Sequence, residues 1–198
     1  MVDVRLARAA DVVALGTLFA RAFADDPVSS WVTPDVSRRG KVLARLNTAI
    51  VRHEGLPRGA TYVTENAGTI VGAAIWQPPR PLPPNWRDVP FALVAGLALG
   101  RDIGRITRLG RAVSRARPRQ RHWYLQLLGV DPTVQHTGLG RALVNAHLAV
   151  IDRQGIASYL ETTAENLRFY EGFGFRVAGE IVIRPGAPTE YSLFRAAR

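Results

Sequence analysis

The apolar positions along the chain change period several times, and each change marks an element. Val2, Val4 and Leu6 alternate with polar neighbours and predict a strand. Val12, Leu15, Leu18, Phe19 and Phe23 fall at helical spacing and predict a helix over 9–23. The stretch ADDPVSSWVTPD is turn-rich, with Pro27 and Pro34 bounding a predicted loop. Val42, Leu43, Leu46, Ile50 and Val51 predict a second helix. Residues 60–64 and 69–76 read as a hairpin turning near Gly68. QPPRPLPPNW then breaks regular structure, and residues 87–115 read as helical. The apolar run 123–130 has the length of a strand. Residues 138–153 return to the helical period, with a broad face that includes Leu139, Leu143, Leu148 and Ile151. A strand over 158–161, a short helix over 164–172, and strands over 175–183 and 190–194 complete the chain.

This order implies an α/β (α+β mixed) fold, a mixed sheet with helices on both faces. The chain reads as one domain, 1–198, with no internal repeat. Its most informative unit is the strand–loop–helix over 123–153. Gly138 and Gly140 stand where that helix begins, and no acid lies between Thr133 and Asp152. A helix start offers unpaired N–H groups and about half a positive charge. Glycine lets an anion approach the backbone, and Arg141 adds a full charge. The unit is an anion cradle suited to a diphosphate.

Composition narrows the classes. With 47% hydrophobic residues the chain can bury a sizeable core. It has no cysteine, which excludes disulfides, thiolate zinc sites and a cysteine nucleophile. Its four histidines show no H-x-x-x-H pair, so no metal site is expected. The N-terminal residues do not read as a signal peptide, and the apolar run 91–99 is too short to span a bilayer. A cytoplasmic protein is expected. The net charge of +10 invites a nucleic-acid reading. However, eight arginines between Arg101 and Arg121, against Asp102 alone, carry +7 of it. Arg101, Arg105, Arg108 and Arg115 fall on one helical stripe, and Leu99, Ile103, Ile106 and Val113 on another. That pattern predicts an amphipathic helix with a solvated basic face, not a nucleic-acid reader.

Dinucleotide folds place G-x-G-x-x-G or A directly after a strand. Here the third small position is Leu143, and six residues separate Asp131 from Gly138. No G-K-[ST] exists for a P-loop. Instead GVDPTVQHTGLGRALV resembles the acetyl-coenzyme A motif [QR]-x-x-G-x-[GA] of the GNAT acetyltransferases, with Gln135, Gly138 and Gly140 filling it. ENLRFYEGFGF is similar to that superfamily's second landmark, through Asn166, Tyr170, Gly174 and Phe175. LETTAENLRFYEGFGF and AFADDP look most like the puromycin N-acetyltransferase branch.

The resemblance implies a twisted, mostly antiparallel sheet of about six or seven strands. It also implies an enzyme that moves the acetyl group of acetyl-coenzyme A directly to a primary amine. The amine belongs to a small molecule, such as an aminonucleoside, or to a peptide. In such an enzyme the N–H groups of Gln135, His136, Thr137, Gly138, Leu139, Gly140 and Arg141 bind the pyrophosphate. The strand end Leu128-Gly129-Val130 splays from its neighbour and pairs with the pantetheine arm, and a backbone N–H near Val130 polarises the thioester carbonyl. Asn166 bonds the arm, or else caps a helix. Tyr170 protonates the leaving thiolate, or else only packs. Glu161 is the candidate base, or else a strand-end carboxylate that ties down a loop. Asp25, Asp26 and Trp31 face the acceptor, although the two acids equally suit a turn cap. The expected state is a monomer or homodimer, with no metal, nucleic acid or membrane partner. A non-catalytic acyl-coenzyme A-binding module is the alternative reading.

Overall fold

Seven strands form one sheet: β1 (Arg5–Leu6), β2 (Thr61–Asn66), β3 (Thr69–Gln77), β4 (His122–Val130), β5 (Ala157–Thr162), β6 (Arg176–Val182) and β7 (Thr189–Arg195). The computed structural model describes residues 2–58, 60–79 and 96–198. The strand order is β1-β2-β3-β4-β5-β7-β6. Every neighbouring pair is antiparallel except β4 and β5, which run parallel. A parallel pair needs a long crossover. The helix predicted over 138–153 supplies it.

The helices are α1 (Val12–Ala22), α2 (Pro27–Val32), α3 (Val36–Ile50), α4 (Ile103–Ala116), α5 (Leu139–Gln154) and α6 (Leu167–Glu171). α1 and α3 cover one face, where Leu15, Leu18, Phe19 and Ile50 pack on Val63, Ala73 and Ile75. α5 and α6 cover the other, where Leu143, Val144, Leu148, Ile151, Tyr170 and Phe173 meet Trp76, Trp123, Leu125 and Leu160. Gly129 has a packing reason to be glycine. A Cβ there would lie 2.8 Å from the Phe19 ring, so α1 could not sit against β4.

Two expectations change. The loop predicted between Pro27 and Pro34 contains α2, because Pro27 occupies its first turn and the Asp26 carboxylate accepts from Ser29 N at 2.8 Å. Proline at that position has its φ pre-set for a helix, so the punctuation marks a start, not a gap. In α4 the stripes are shifted. Ile106 and Leu109 pack on the cluster of Val32, Val42 and Leu99, while Ile103 is 44% exposed. Arg105 turns inward and donates to the Trp31 carbonyl at 2.6 Å. The proline cluster beyond Pro79 and the first part of the predicted 87–115 helix lie outside the described residues.

His147 of α5 is buried among Tyr62, Trp76 and Trp123, and its Nδ1 meets the Tyr62 hydroxyl at 3.1 Å. Burial lowers its pKa to about 4. The folded state therefore favours neutral imidazole. That stability is intact above the unfolded value of about 6.5 and is lost as pH falls toward 4. Replacing His147 with Leu is expected to flatten the fall in Tm between pH 6.5 and 4. Calorimetry at several pH values checks this against the parent.

Candidate functional site

β4 and β5 are hydrogen-bonded neighbours only at their starts. The register runs His122↔Ala157, Trp123↔Ser158 and Tyr124↔Tyr159, then stops, although β4 continues to Val130 and β5 to Thr162. From Leu125 onward β4 keeps only β3 as a strand partner, up to the pair Gly72↔Val130. A bulge bends β4 at the same place, since Ile75 faces Leu127 and Trp76 faces Leu125, leaving Gln126 extra. Bulges twist a strand and end pairing. The Gln126 side chain accepts from Gln77 Nε2 and donates to Glu54 Oε2, both at 2.6 Å. The result is a wedge-shaped opening in the middle of the sheet.

The loop from Asp131 to Gly138 lies at the mouth of this wedge. Gly138 precedes α5 with φ +89°, a left-handed conformation that suits glycine, and nothing lies within 4 Å of where its Cβ would be. No side chain caps α5. Its first internal bond runs from Ala142 N to Gly138 O, so the N–H groups of Leu139, Gly140 and Arg141 have no partner within the helix. Gln135, His136, Thr137, Gly138 and Arg141 are exposed. Asp131, the nearest acid, is tied to Arg21 Nε at 2.9 Å and to the N–H and hydroxyl of Thr133. These contacts hold its carboxyl below the usual range. The mouth is open and donor-rich, and the Asp131 carboxylate beside it is compensated. It fits a diphosphate.

On the α5 and α6 face, Tyr170 belongs to the same apolar cluster as Leu125 of β4 and Leu160 of β5. Its ring meets Phe169 edge-on at 5.0 Å and Phe175 at 6.1 Å. Burial pushes its hydroxyl pKa well up. Asn166 ends a 3-10 turn at the start of α6, and its Nδ2 reaches Thr163 Oγ1 at 3.4 Å.

Strand alternation puts Glu161 on the opposite face from Leu160. There the Glu161 carboxylate has 6% of its side chain exposed and lies 3.8 Å from the Arg117 guanidinium. Burial raises its pKa, while Arg117, Tyr124 and Tyr159 oppose the rise. Arg117, just past α4, stacks over the Tyr124 ring at 4.0 Å. Tyr124 and His122 lie against Tyr159, at 6.1 and 5.3 Å between rings. Glu190 of β7 joins the group, its pKa raised to about 7 by burial, then by Glu161 and Asp26.

A family model described as acetyltransferase (GNAT) family matches residues 19–175. The chain belongs to the GNAT acetyltransferase family. Members use acetyl-coenzyme A as cosubstrate. The chain is 30% identical over 194 residues to the mycothiol acetyltransferase of Salinispora arenicola (strain CNS-205). That match covers 86% of this chain and 63% of the relative, so the chain spans under two thirds of the relative's length. Its fold is similar to a Corynebacterium glutamicum structure described as histone acetyltransferase HPA2 and related acetyltransferase. There the TM-score is 0.72 at 22% identity, covering 100% of this chain and 98% of the other. It is also similar to the polyamine N-acetyltransferase of Drosophila melanogaster, with TM-score 0.66, 18% identity and coverage of 99% and 100%.

The motif residues Gln135, Gly138 and Gly140 lie at the mouth of the wedge, while the Glu161 face carries no motif. Arg117, Tyr124, Tyr159 and Glu190 were not singled out by sequence reasoning. The available signal was that Glu161 and Glu190 are the single acids of β5 and β7. Asp26 caps α2, and Trp31 lies half-buried beneath Arg105, 5.7 Å from ring centre to guanidinium carbon. Trp76 is fully buried core. Among the described residues no group of three or more histidines and acids could hold a metal ion, and no helix is long and apolar enough to cross a membrane.

Proposed function

We propose that this GNAT protein is an N-acetyltransferase that moves the acetyl group of acetyl-coenzyme A directly to the primary amine of a small molecule or peptide. The observation that carries the reading is the wedge between β4 and β5, which opens beside the uncapped, glycine-started helix α5. The N–H groups from Gln135 to Arg141 hold the pyrophosphate. The free edge of Leu128, Gly129 and Val130 pairs with the pantetheine arm, and Asn166 bonds it from the turn before α6. A backbone N–H near Val130 steadies the oxyanion that develops on the thioester carbonyl. Tyr170 supports the departing thiolate from one face, and Glu161 serves the amine from the other. Asp25, Asp26 and Trp31 border the acceptor side. With no cysteine in the chain, no acyl-cysteine forms, and the amine attacks the thioester itself.

The acceptor class is an amine. Mycothiol acetyltransferase and polyamine N-acetyltransferase among the similar proteins, and the puromycin-branch likeness of the AFADDP segment, motivate a panel. Thiol release from acetyl-coenzyme A should appear with at least one of puromycin, agmatine, spermidine, an aminosugar and a peptide N-terminus. Tight acetyl-coenzyme A binding without thiol release on any amine would instead make the chain a non-catalytic module.

The arginine-rich helix plays no part in chemistry on this reading. Arg108 and Arg115 are exposed, unlike Arg105 and Arg117. Changing both to Gln is expected to leave kcat at saturating substrate nearly intact. DNA retention at physiological salt, lost in that double variant, would overturn this assignment.

A further inference from the structure

We infer that Glu161 and Glu190 together form the receptor for the acceptor amine, binding it as its ammonium ion and taking one proton from it before attack. This rests on the transferase reading above and names the substrate class, a cationic primary alkylamine.

The strand register sets the geometry. Glu161 of β5 stands opposite Ser192 of β7, so Glu190 is its diagonal neighbour on the same face. Diagonal neighbours in an antiparallel pair lie about 7–8 Å apart. Two glutamate side chains at that spacing can bring their carboxylates onto one nitrogen. The site lies where β5 has left β4, on the side of the sheet away from Tyr170.

Glu161 Oε1, the Tyr159 hydroxyl and Arg117 Nε are buried without a well-formed hydrogen bond, held only loosely by one another: Glu161 Oε1 lies 3.8 Å from the Arg117 guanidinium, and the Tyr124 and Tyr159 hydroxyls are near enough to oppose the rise in its pKa. Tyr159 is fully buried and Glu161 nearly so. Buried polar groups are rarely left unpaired. Three loosely held groups at one place leave hydrogen-bonding capacity that a polar ligand can take up.

Charge points to a cation. The charged and titratable groups around the pair are Arg117 at the end of α4, His122 and Tyr124 on β4, Tyr159 on β5 and Asp26 before α2. From β6, the residue opposite Glu190 is the apolar Ile181. Burial lowers the His122 pKa, which favours the neutral ring. Three carboxylates thus face one guanidinium. Burial, then Glu161 and Asp26, raise the Glu190 pKa to about 7, which suits a carboxylate beside Glu161 that takes a proton from an amine.

The steps balance. The ammonium gives one proton to the Glu190 carboxylate and becomes a free amine. Its lone pair forms the C–N bond at the thioester carbonyl, and the C–S bond breaks with its electrons going to sulfur. The second proton that nitrogen loses equals the one that sulfur gains. Glu190 then returns its proton to solvent.

Thiol-release kinetics over pH 5.5–9.5 test this with agmatine as a permanently guanidinylated alkylamine, spermidine and puromycin, and with aniline as a neutral control. In the wild type, kcat/KM for the cationic amines should rise with unit slope through about pH 7. The Glu190→Gln variant should lose that limb and about tenfold of kcat/KM at pH 7, less than the full general-base contribution of about 10² because Glu161 remains. Its acetyl-coenzyme A affinity should hold, and Glu190→Asp should restore part of the limb. Carboxyl-13C titration of the seven glutamates in the wild-type protein reads the pair whether or not a variant folds. One carboxyl should titrate near pH 7 and move down when coenzyme A and agmatine are both bound. Unchanged profiles in Glu190→Gln, or seven ordinary carboxyls that ignore agmatine, overturn this inference alone. No thiol release with any amine in the wild type overturns the transferase reading, and this inference with it.

Discussion

Tyr170→Phe is expected to lower kcat by about 10²-fold or more while leaving acetyl-coenzyme A affinity nearly unchanged. The substitution keeps the ring that packs with Phe169 and Phe175 and removes only the hydroxyl. As the C–S bond breaks, a thiolate develops whose pKa is about 8.5, by analogy with cysteine. A free tyrosine hydroxyl titrates near 10. Burial at Tyr170 raises that value further, so the group stays protonated throughout the working range. The same shift makes complete proton transfer to sulfur more uphill. The role that fits is therefore hydrogen-bond donation to the developing charge, with the proton arriving from solvent afterwards. Donation of this kind is stronger in the transition state than in the ground state, so its loss appears in kcat and not in binding. Single-turnover kinetics separates chemistry from product release. If Tyr170→Phe reacts at the parent rate in that measurement, the hydroxyl is a packing group and the assignment fails.

Gly138→Asp should weaken acetyl-coenzyme A binding by about 10²-fold, from a like-charge cost of about 3 kcal/mol. At present nothing lies near the Gly138 Cβ position, so a carboxylate there would stand in the space before α5. In the proposed function that is where a pyrophosphate meets the free N–H groups of Leu139, Gly140 and Arg141. The left-handed φ of +89° adds strain to any side chain. Gly138→Ala separates the two effects, because it carries the strain without the charge and should lose much less affinity. Calorimetry on variants with normal melting curves decides the matter. Equal affinity in parent and Gly138→Asp would move the pyrophosphate elsewhere.

The cofactor side of the site was legible because its signals are local. Glycine at 138 answers a backbone dihedral, the helix start answers the apolar period after it, and both lie within a few residues. The segment from Pro27 to Pro34 differs from its sequence pattern for a related reason. Pro27 read alone is a breaker, whereas Pro27 after a capping Asp26 is a helix start. Periodicity puts Arg105 on a solvated stripe because it counts angles and not neighbours. Its inward turn depends on the Trp31 carbonyl, which a different helix supplies.

The acceptor side was not legible for a stronger reason. Arg117, Tyr124, Glu161 and Glu190 come from the end of a helix and from three strands, and no two belong to one motif. Glu161 and Glu190 become neighbours only because β7 inserts beside β5, and only because the register puts Ser192 opposite Glu161. Slipping that pairing by one residue would turn one carboxylate to the other face. The sequence by itself therefore determined the elements other than α2, the family motifs and the glycine-marked helix start, all products of short-range backbone chemistry. Tertiary structure alone decided where β4 parts from β5 and which charges meet there. Burial and Coulomb interaction depend on distance in space, and the pKa values that tune the pair exist only once the sheet has brought the strands together.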